Sequence, residues 1–262
     1  MLTKLASLGP DERARGVISA SAGNHAGALA YGSAVEGIDC LVVMWQGASE
    51  LKRAAALGYG ATVDQEAAGP TELFERLAEL QEETGRVLVH PFDDPLVLAG
   101  QGTVGRELGE DLPELDVVVV PVGGGGLVSG IAAALPDARV VAVEPENSRA
   151  FHEGLGAGAP VPVTPSSVAD GLNAPFAGVL PIALGLELGI ESALVTEAEI
   201  EDGFRFLYER AKLAAEPAAA AGVAALLAGK VPDVEGATVA VVVSGGNVAG
   251  ETASGILKPA PR

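Results

Sequence analysis

Four consecutive glycines stand between an apolar strand pattern and a helical pattern. The segment reads PVGGGGLVSG and contains Gly123, Gly124, Gly125 and Gly126. Successive glycines let the backbone curl so that several N–H groups converge, and the amino end of the following helix adds a partial positive charge. No Lys follows as in a nucleotide-binding P-loop, and no acidic residue is placed as in a dinucleotide fold. The segment therefore predicts a site for a phosphorylated ligand other than ATP or NAD, with a merely flexible loop as the alternative.

Two further turns place polar side chains at the ends of apolar strands. SAGNHA, residues 21–26, follows one strand pattern and opens a helical one, and SGGN, residues 244–247, ends the last apolar run. The amides of the first turn could hold a substrate carboxylate, unless Ser21 or Asn24 merely caps the helix. Because parallel α/β sheets bind ligands at the carboxyl ends of their strands, the three turns together predict one shared site.

Alternating strands and helices must position these turns. Apolar runs predict strands at residues 16–21, 38–45, 60–64, 86–90, 116–122, 138–144 and 237–244. Helical spacing or composition covers residues 24–36, 49–58, 70–84, 95–110, 125–135, 200–213 and 217–229. Valine-rich strands that are each followed by a helix are typical of parallel sheets in an α/β fold. The Gly- and Pro-rich stretch 145–192 predicts loop and short helix over a site.

Composition limits the class of protein. The chain has 262 residues, is 48% hydrophobic and carries a net charge of −19, which argues against binding to nucleic acid or anionic membranes. No apolar stretch reaches the roughly 18 residues of a membrane span, and the first residues lack the layout of a signal peptide. The single cysteine, Cys40, lies in an apolar run, which predicts a buried thiol and excludes an intrachain disulfide. Together these features predict a cytoplasmic protein.

A series of motifs, taken in order, resembles the threonine dehydratases and serine racemases. They read SAGNHA, HPFDDPLVLAGQGT, PVGGGGLVSG, VAVEPEN, VADGL, EPAAAAGVAALL and VVVSGGNV, and they cover nearly the whole chain. The resemblance implies an α/β, two-domain fold type II pyridoxal-phosphate enzyme, tryptophan-synthase-β-like, with parallel sheets flanked by helices. It also implies a small domain at 16–93, a large cofactor-binding domain formed by 1–15 and 94–262, and a cofactor in the cleft between them.

The resemblance further implies roles for individual residues around pyridoxal 5'-phosphate. The tetraglycine loop Gly123–Gly126 would bind its phosphate. The side chain of Asn24 would contact the 3-oxygen, Gly171 of VADGL would lie against the ring, and Ser244 would face the ring nitrogen. The substrate carboxylate would be held by the turn that contains Ser21, Gly23 and His25.

The activity implied is β-elimination from L-threonine or L-serine, which gives a 2-oxo acid and ammonia, in a homodimer or homotetramer. The alternatives are a non-catalytic pyridoxal-phosphate-binding relative, or another fold type II enzyme such as a serine racemase or a hydroxyaspartate dehydratase. Racemases often have a second serine where this chain has Ala22, and they tend to have asparagine where it has Phe92. Both differences favour elimination over racemisation.

The sequence also departs from the family pattern. The family has an S-F-K-x-R-G-A segment just before the helix that here reads LTKLASL, so the Schiff-base lysine is expected ahead of Met1 and the chain is expected to be N-terminally incomplete. No lysine present matches that position, so no catalytic residue is assigned and the 262-residue chain is not expected to work at family-like rates. The lysines are Lys4, Lys52, Lys212, Lys230 and Lys258.

One acidic residue is a weak candidate for a metal ligand. Glu144 matches a metal ligand of the racemase-like enzymes, but the position of its partner aspartate is Ala150. No metal site is therefore assigned.

Overall fold

Two parallel sheets form the centres of two separate units in a computed structural model that describes residues 1–258. The units are Met1–Gly100 and Gln101–Arg262, and each contains one four-stranded sheet. All the strand pairs are parallel, which confirms the predicted α/β class. The predicted domain boundaries, 16–93 against 1–15 with 94–262, stay a prediction.

The first unit has the strand order β3-β2-β1-β4. Its strands are β1 (Val17–Ala20), β2 (Cys40–Trp45), β3 (Thr62–Ala67) and β4 (Val87–Leu88). Its helices are α1 (Leu2–Ala6), α2 (Pro10–Arg15), α3 (Asn24–Glu36), α4 (Glu50–Gly58), α5 (Pro70–Thr84) and the start of α6 (Pro95–Asp111).

The central strands of the first sheet are apolar on both faces because helices cover both. Val17 and Met44 pack with Leu29 of α3, whereas Ile18 packs with Leu77 of α5 on the opposite face. This two-sided burial explains why the strands read as continuous apolar runs rather than as alternating ones. Cys40 is buried in the first of these clusters, as predicted.

The second unit has the strand order β7-β6-β5-β8. Its strands are β5 (Val117–Pro121), β6 (Arg139–Pro145), β7 (Glu191–Val195) and β8 (Val239–Val241). The remaining helices are α7 (Gly126–Ala134), α8 (Ala150–Ala157), α9 (Val179–Glu187), α10 (Glu197–Phe206), α11 (Pro217–Leu227) and α12 (Gly250–Leu257). A 3₁₀ turn covers Asp170–Leu172, and a π-helical turn, Leu207–Ala211, follows α10.

Each predicted strand is present, but the stretch 145–192 contains more regular structure than its composition indicates. It includes the helices α8 and α9 and the first residues of β7. The strand β7 was missed because ESALV is an edge strand with half-buried positions and no continuous apolar run. Within residues 1–258, no helix is long and apolar enough to cross a membrane.

The close packing of α10 on α11 depends on a glycine, and this gives a testable prediction. A Cβ on Gly203 would lie 2.8 Å from the Ala220 carbonyl oxygen and 2.9 Å from the Ala224 nitrogen. A side chain at this position would therefore force α10 and α11 apart. We expect Gly203→Ala to lower the free energy of unfolding by about 1–3 kcal/mol. The matched control is Gly156→Ala in α8, where a Cβ would meet open space and should be neutral or stabilising by up to about 1 kcal/mol. Urea unfolding measures both, and equal effects would contradict the packing argument.

Candidate functional site

The tetraglycine loop connects β5 to α7 at the carboxyl end of the second sheet. Strand β5 ends at Pro121, the Val122 N–H still bonds to the Val143 carbonyl, and α7 begins at Gly126. The predicted strand–loop–helix arrangement is therefore present. Because the first N–H groups of a helix have no partner within it, the amino end of α7 offers donors to an anion.

Glycine is required in this loop for steric reasons. Gly125 has a φ of 92°, and a Cβ there would lie 2.7 Å from Pro181 Cβ and 2.9 Å from the Phe151 ring. A Cβ on Gly123 would lie 3.3 Å from Leu172 Cα. The Gly124 carbonyl accepts the Gly178 N–H at 3.1 Å, which anchors the loop from the other side. The loop is therefore packed too tightly for side chains at Gly123 and Gly125, and it forms a glycine cradle that offers backbone groups, of the kind that fits a phosphate group.

The turn that contains Gly171 lies directly against this cradle. Gly171 belongs to the 3₁₀ turn Asp170–Leu172, and its carbonyl oxygen would be 3.5 Å from a Cβ on Gly123. The Ser148 hydroxyl donates to the Leu172 carbonyl at 2.8 Å and holds the turn in place. The structure thus brings together two of the segments that the sequence singled out.

Glu216 connects the Gly171 turn to the SGGN turn, and sequence reasoning assigned it no role. A Cβ on Gly171 would lie 3.3 Å from Glu216 Oε1. A Cβ on Gly245, the residue after Ser244, would lie 2.6 Å from Glu216 Cδ and closer still to Oε1. The Glu216 N–H also donates to the Gly245 carbonyl at 2.9 Å. Hence Glu216, which is only 2% exposed, lies against both turns.

A buried carboxylate beside candidate ligand-binding turns is a signal of function, because taking a charge out of water is costly. The sequence contained the signal in EPAAAAG, where a charged residue directly precedes an apolar helix. That pattern was used only for the family resemblance.

The SAGNH turn lies at the carboxyl end of the first sheet. Strand β1 ends at Ala20, and α3 begins at Asn24 with Gly23 as its N-cap residue. The Ser21 hydroxyl accepts the Gly23 N–H at 3.1 Å, and the Ser21 N–H bonds to the Val43 carbonyl. Ser21 therefore closes the turn instead of capping the helix.

His25, in the first turn of α3, contacts a buried serine of β1. Its Nε2 is 3.0 Å from Ser19 Oγ, and the Ser19 hydroxyl donates to the Val89 carbonyl at 2.7 Å. Burial lowers the pKa of His25 to about 4. The ring is therefore neutral near pH 7.

The HPFDDP segment follows β4 in the same unit. His90 Nδ1 accepts the Asp93 N–H at 2.9 Å, and burial lowers the pKa of His90 as well. The Phe92 ring meets the His90 ring edge-on, with 4.7 Å between the centroids. Whether the SAGNH turn shares a site with the two turns of the second unit stays a prediction.

Three of the five lysines, Lys4, Lys52 and Lys230, hold structural positions. Lys4 pairs with Asp94 at 2.7 Å, Lys52 is buried in α4, and Lys230 pairs with Glu199 at 2.8 Å. The expectation that none of the lysines serves the cofactor stays a prediction.

Glu144, the weak candidate for a metal ligand, caps a helix. Its fully buried carboxylate accepts the N–H groups of Phe151 and His152 at 2.8 and 2.7 Å, at the amino end of α8. Burial raises the pKa of Glu144 to about 8. The two hydrogen bonds lower this pKa, but burial has the larger effect. Within residues 1–258, no group of three or more His, Cys, Asp or Glu side chains could hold a metal ion.

Parallel α/β units with a glycine cradle after a central strand define a class of phosphate-binding protein. The sequence matches the family described as pyridoxal-phosphate dependent enzymes over residues 1–245, and the chain belongs to that family. The predicted resemblance is thereby confirmed, and pyridoxal phosphate is the cofactor of the family.

Curated relatives cover most of this chain. An L-threonine ammonia-lyase of Thermotoga maritima is 44% identical over 250 residues, which are 94% of this chain and 62% of that protein. A catabolic L-threonine dehydratase of Staphylococcus aureus is 38% identical over 262 residues, which are 97% of this chain and 76% of the relative. The chain thus spans less than two thirds of the first relative and about three quarters of the second.

Solved structures of both activities resemble the chain. Maize serine racemase has a TM-score of 0.90 at 33% identity, and the match covers 96% of this chain and 79% of the racemase. The processed form of threonine deaminase isoform 2 from Solanum lycopersicum has a TM-score of 0.89 at 27% identity, and the match covers 97% of this chain and 76% of the deaminase. These likenesses confirm the predicted fold type.

The contact between Gly245 and Glu216 gives the prediction for this site. Gly245→Ala would push a methyl group into the Glu216 side chain, so we expect a loss of stability of about 1–3 kcal/mol. Adding Glu216→Ala should restore part of that loss, because the obstructing carboxylate is gone, whereas two independent sites would have additive effects. Gly250→Ala, at the open start of α12, is the control. Urea unfolding of the single and double variants measures the coupling, and strict additivity would show that the two residues do not meet.

Proposed function

We propose that this chain belongs to a pyridoxal-phosphate-dependent ammonia-lyase that acts on L-threonine or L-serine and releases a 2-oxo acid and ammonia. The observation that carries the proposal is the glycine cradle between β5 and α7, in a member of this family whose relatives are named L-threonine ammonia-lyase and dehydratase. Pyridoxal phosphate supplies an electron sink when it is bound, and the protein decides which bond at the α-carbon breaks.

The residues present fit such a cofactor. The N–H groups of Gly123–Gly126 would hold the phosphate, since the chain has a net charge of −19 and no general positive field. Gly171 offers a surface without a side chain to the ring, Ser244 a hydroxyl to its nitrogen, and Asn24 an amide to its 3-oxygen. The backbone amides of the SAGNH turn would bind the substrate carboxylate and so orient the α-carbon.

The finer assignments belong to the same proposal. The substrate is a small hydroxy amino acid, the enzyme works in the cytoplasm, and it assembles as a homodimer or homotetramer. Light scattering on the purified protein tests the assembly, and a monomer at micromolar concentration would contradict the proposed homodimer or homotetramer.

The cradle is tested by distorting its backbone. Gly125→Val adds a side chain at a positive φ and into Pro181 and Phe151, so we expect retention of pyridoxal phosphate to be lost. Gly156→Val, in the exposed part of α8, is the matched control and should bind as the parent does. Equilibrium dialysis measures both, with circular dichroism to show that the variants fold. Unchanged affinity in a folded Gly125→Val variant would mean that the phosphate binds elsewhere.

The reaction is tested on the 262-residue chain and on a form extended by any in-frame upstream coding sequence. We expect the extended form to produce 2-oxobutanoate from L-threonine and pyruvate from L-serine, and the shorter form to be far slower. Activity of the shorter form with the cofactor covalently attached to Lys4 or another of its lysines would overturn the lysine expectation. A folded, cofactor-loaded extended form that makes neither product would overturn the proposed reaction.

Racemisation is the second candidate function, because of the similarity to maize serine racemase. Inversion needs a proton acceptor on one face of the substrate and a proton donor on the other, and the methyl group of Ala22 exchanges no proton. Since a general acid typically contributes about 10²–10⁴-fold to its step, D-serine formation should be slowed by a comparable factor, and pyruvate should be the main product from L-serine. Ala22→Ser should raise D-serine formation in the same assay. If the parent makes D-serine as fast as pyruvate, the inference from Ala22 is wrong.

A further inference from the structure

A short chain of hydrogen bonds in the first unit joins a strand, a buried serine and the histidine of the SAGNH turn. Ser19 lies in β1 and is fully buried. Its Oγ is 2.7 Å from the Val89 carbonyl oxygen and 3.0 Å from His25 Nε2.

The direction of each hydrogen bond follows from what the atoms can do. A carbonyl oxygen only accepts, so the single hydrogen of the Ser19 hydroxyl goes to Val89. Ser19 Oγ can then offer only a lone pair to His25, so the hydrogen of that contact must be on His25 Nε2. The Val89 carbonyl also acts to raise the pKa of His25, as an acceptor facing a ring N–H does.

The second ring nitrogen is then left without a hydrogen. Burial outweighs the effect of Val89 and lowers the pKa of His25 to about 4, so near pH 7 the ring has one hydrogen in total. That hydrogen is on Nε2, and Nδ1 presents a lone pair.

We propose that Ser19 is a positioning residue that holds His25 as the Nε2–H tautomer, so that the SAGNH turn presents a hydrogen-bond acceptor at His25 Nδ1. A carboxylate or a phosphate has only lone pairs to offer and would be repelled by Nδ1. The anionic part of a ligand is therefore held by the backbone N–H groups of the turn, and His25 takes a group that carries hydrogen, an ammonium or a hydroxyl. Only this last step rests on the proposed function, since the tautomer follows from Ser19 and Val89.

The chain provides its own references for a measurement. It has three histidines, so each can be assigned by one substitution. His90 accepts the Asp93 N–H at Nδ1 and must also be an Nε2–H tautomer. His152 is exposed, with Nδ1 3.0 Å from Ser192 Oγ, a contact that either tautomer can make.

The test is long-range ¹H–¹⁵N spectroscopy of the 262-residue protein with ¹⁵N-labelled histidine, near pH 7 and without added ligand. His25 is assigned with the His25→Gln variant. We expect Nε2 of His25 to resonate as a protonated nitrogen and Nδ1 as an unprotonated one. A protonated Nδ1 in the parent protein would overturn the proposal.

Variants at position 19 test whether the serine sets the tautomer. Ser19→Thr keeps the hydroxyl and should keep the His25 spectrum, whereas in Ser19→Ala both ring nitrogens should move toward the average of two exchanging tautomers. Unchanged His90 signals show that the first unit is folded. If the alanine variant does not fold, Ser19→Cys gives the same comparison, because a thiol is a weaker acceptor. If a folded variant that lacks the hydroxyl keeps the His25 spectrum of the parent protein, Ser19 does not set the tautomer.

Adding L-threonine to the cofactor-loaded protein separates the two parts of the inference. We expect Nδ1 to stay unprotonated while its resonance shifts as it accepts a hydrogen bond. Protonation of Nδ1 on adding L-threonine would mean that the side chain donates to the carboxylate, which would overturn the acceptor assignment. If His25 keeps the Nε2–H tautomer but its Nδ1 resonance does not respond to L-threonine, the proposed ligand of the turn is wrong.

Discussion

In the proposed function, an anionic ligand would depend on backbone N–H groups, because the net charge of the chain is strongly negative. With a net charge of −19, the protein repels phosphate and carboxylate at long range. The amino ends of helices supply local positive potential, because their first N–H groups have no partner within the helix. Helices α3 and α7, which follow β1 and β5, begin at glycine-containing turns, and neither N-cap residue has a side chain to block those groups.

The sheets place these helix ends where a ligand can reach them. In a parallel sheet each strand must be followed by a crossover, so every carboxyl end is followed by a loop and, here, in most cases by a helix. Burial on both faces fixes the position of β1 and β5, because valine and isoleucine from each face pack under different helices. The loops can therefore consist largely of glycine and still be well ordered, because the strands and helices on either side hold them in place.

The sequence was sufficient for the features that depend on local pattern. Valine-rich runs marked β5 and β6, and four glycines before a helix marked the cradle. It was insufficient where one side chain meets a segment far along the chain. Glu216 meets Gly171 and Gly245, and Glu144 caps α8 from a strand. Ser19 meets Val89 across 70 residues. A polar residue inside an apolar run signals that such a partner exists, but the fold is needed to say which one.

Buried polar groups in this protein differ in whether their hydrogen bonds affect a residue of a candidate ligand-binding turn. The Glu144 carboxyl group accepts two helix N–H groups, so its oxygens are already occupied within the fold. The Ser19 hydroxyl is likewise satisfied, but in doing so it settles which nitrogen of His25 carries the hydrogen. A buried group can therefore act on a ligand without touching it, by fixing the hydrogen-bonding state of a neighbouring residue of the turn. Exchanging a donor for an acceptor at one ring nitrogen reverses the kind of ligand group that can bind there. Under the proposed role, Ser19 in β1 would therefore influence ligand binding at the turn through His25.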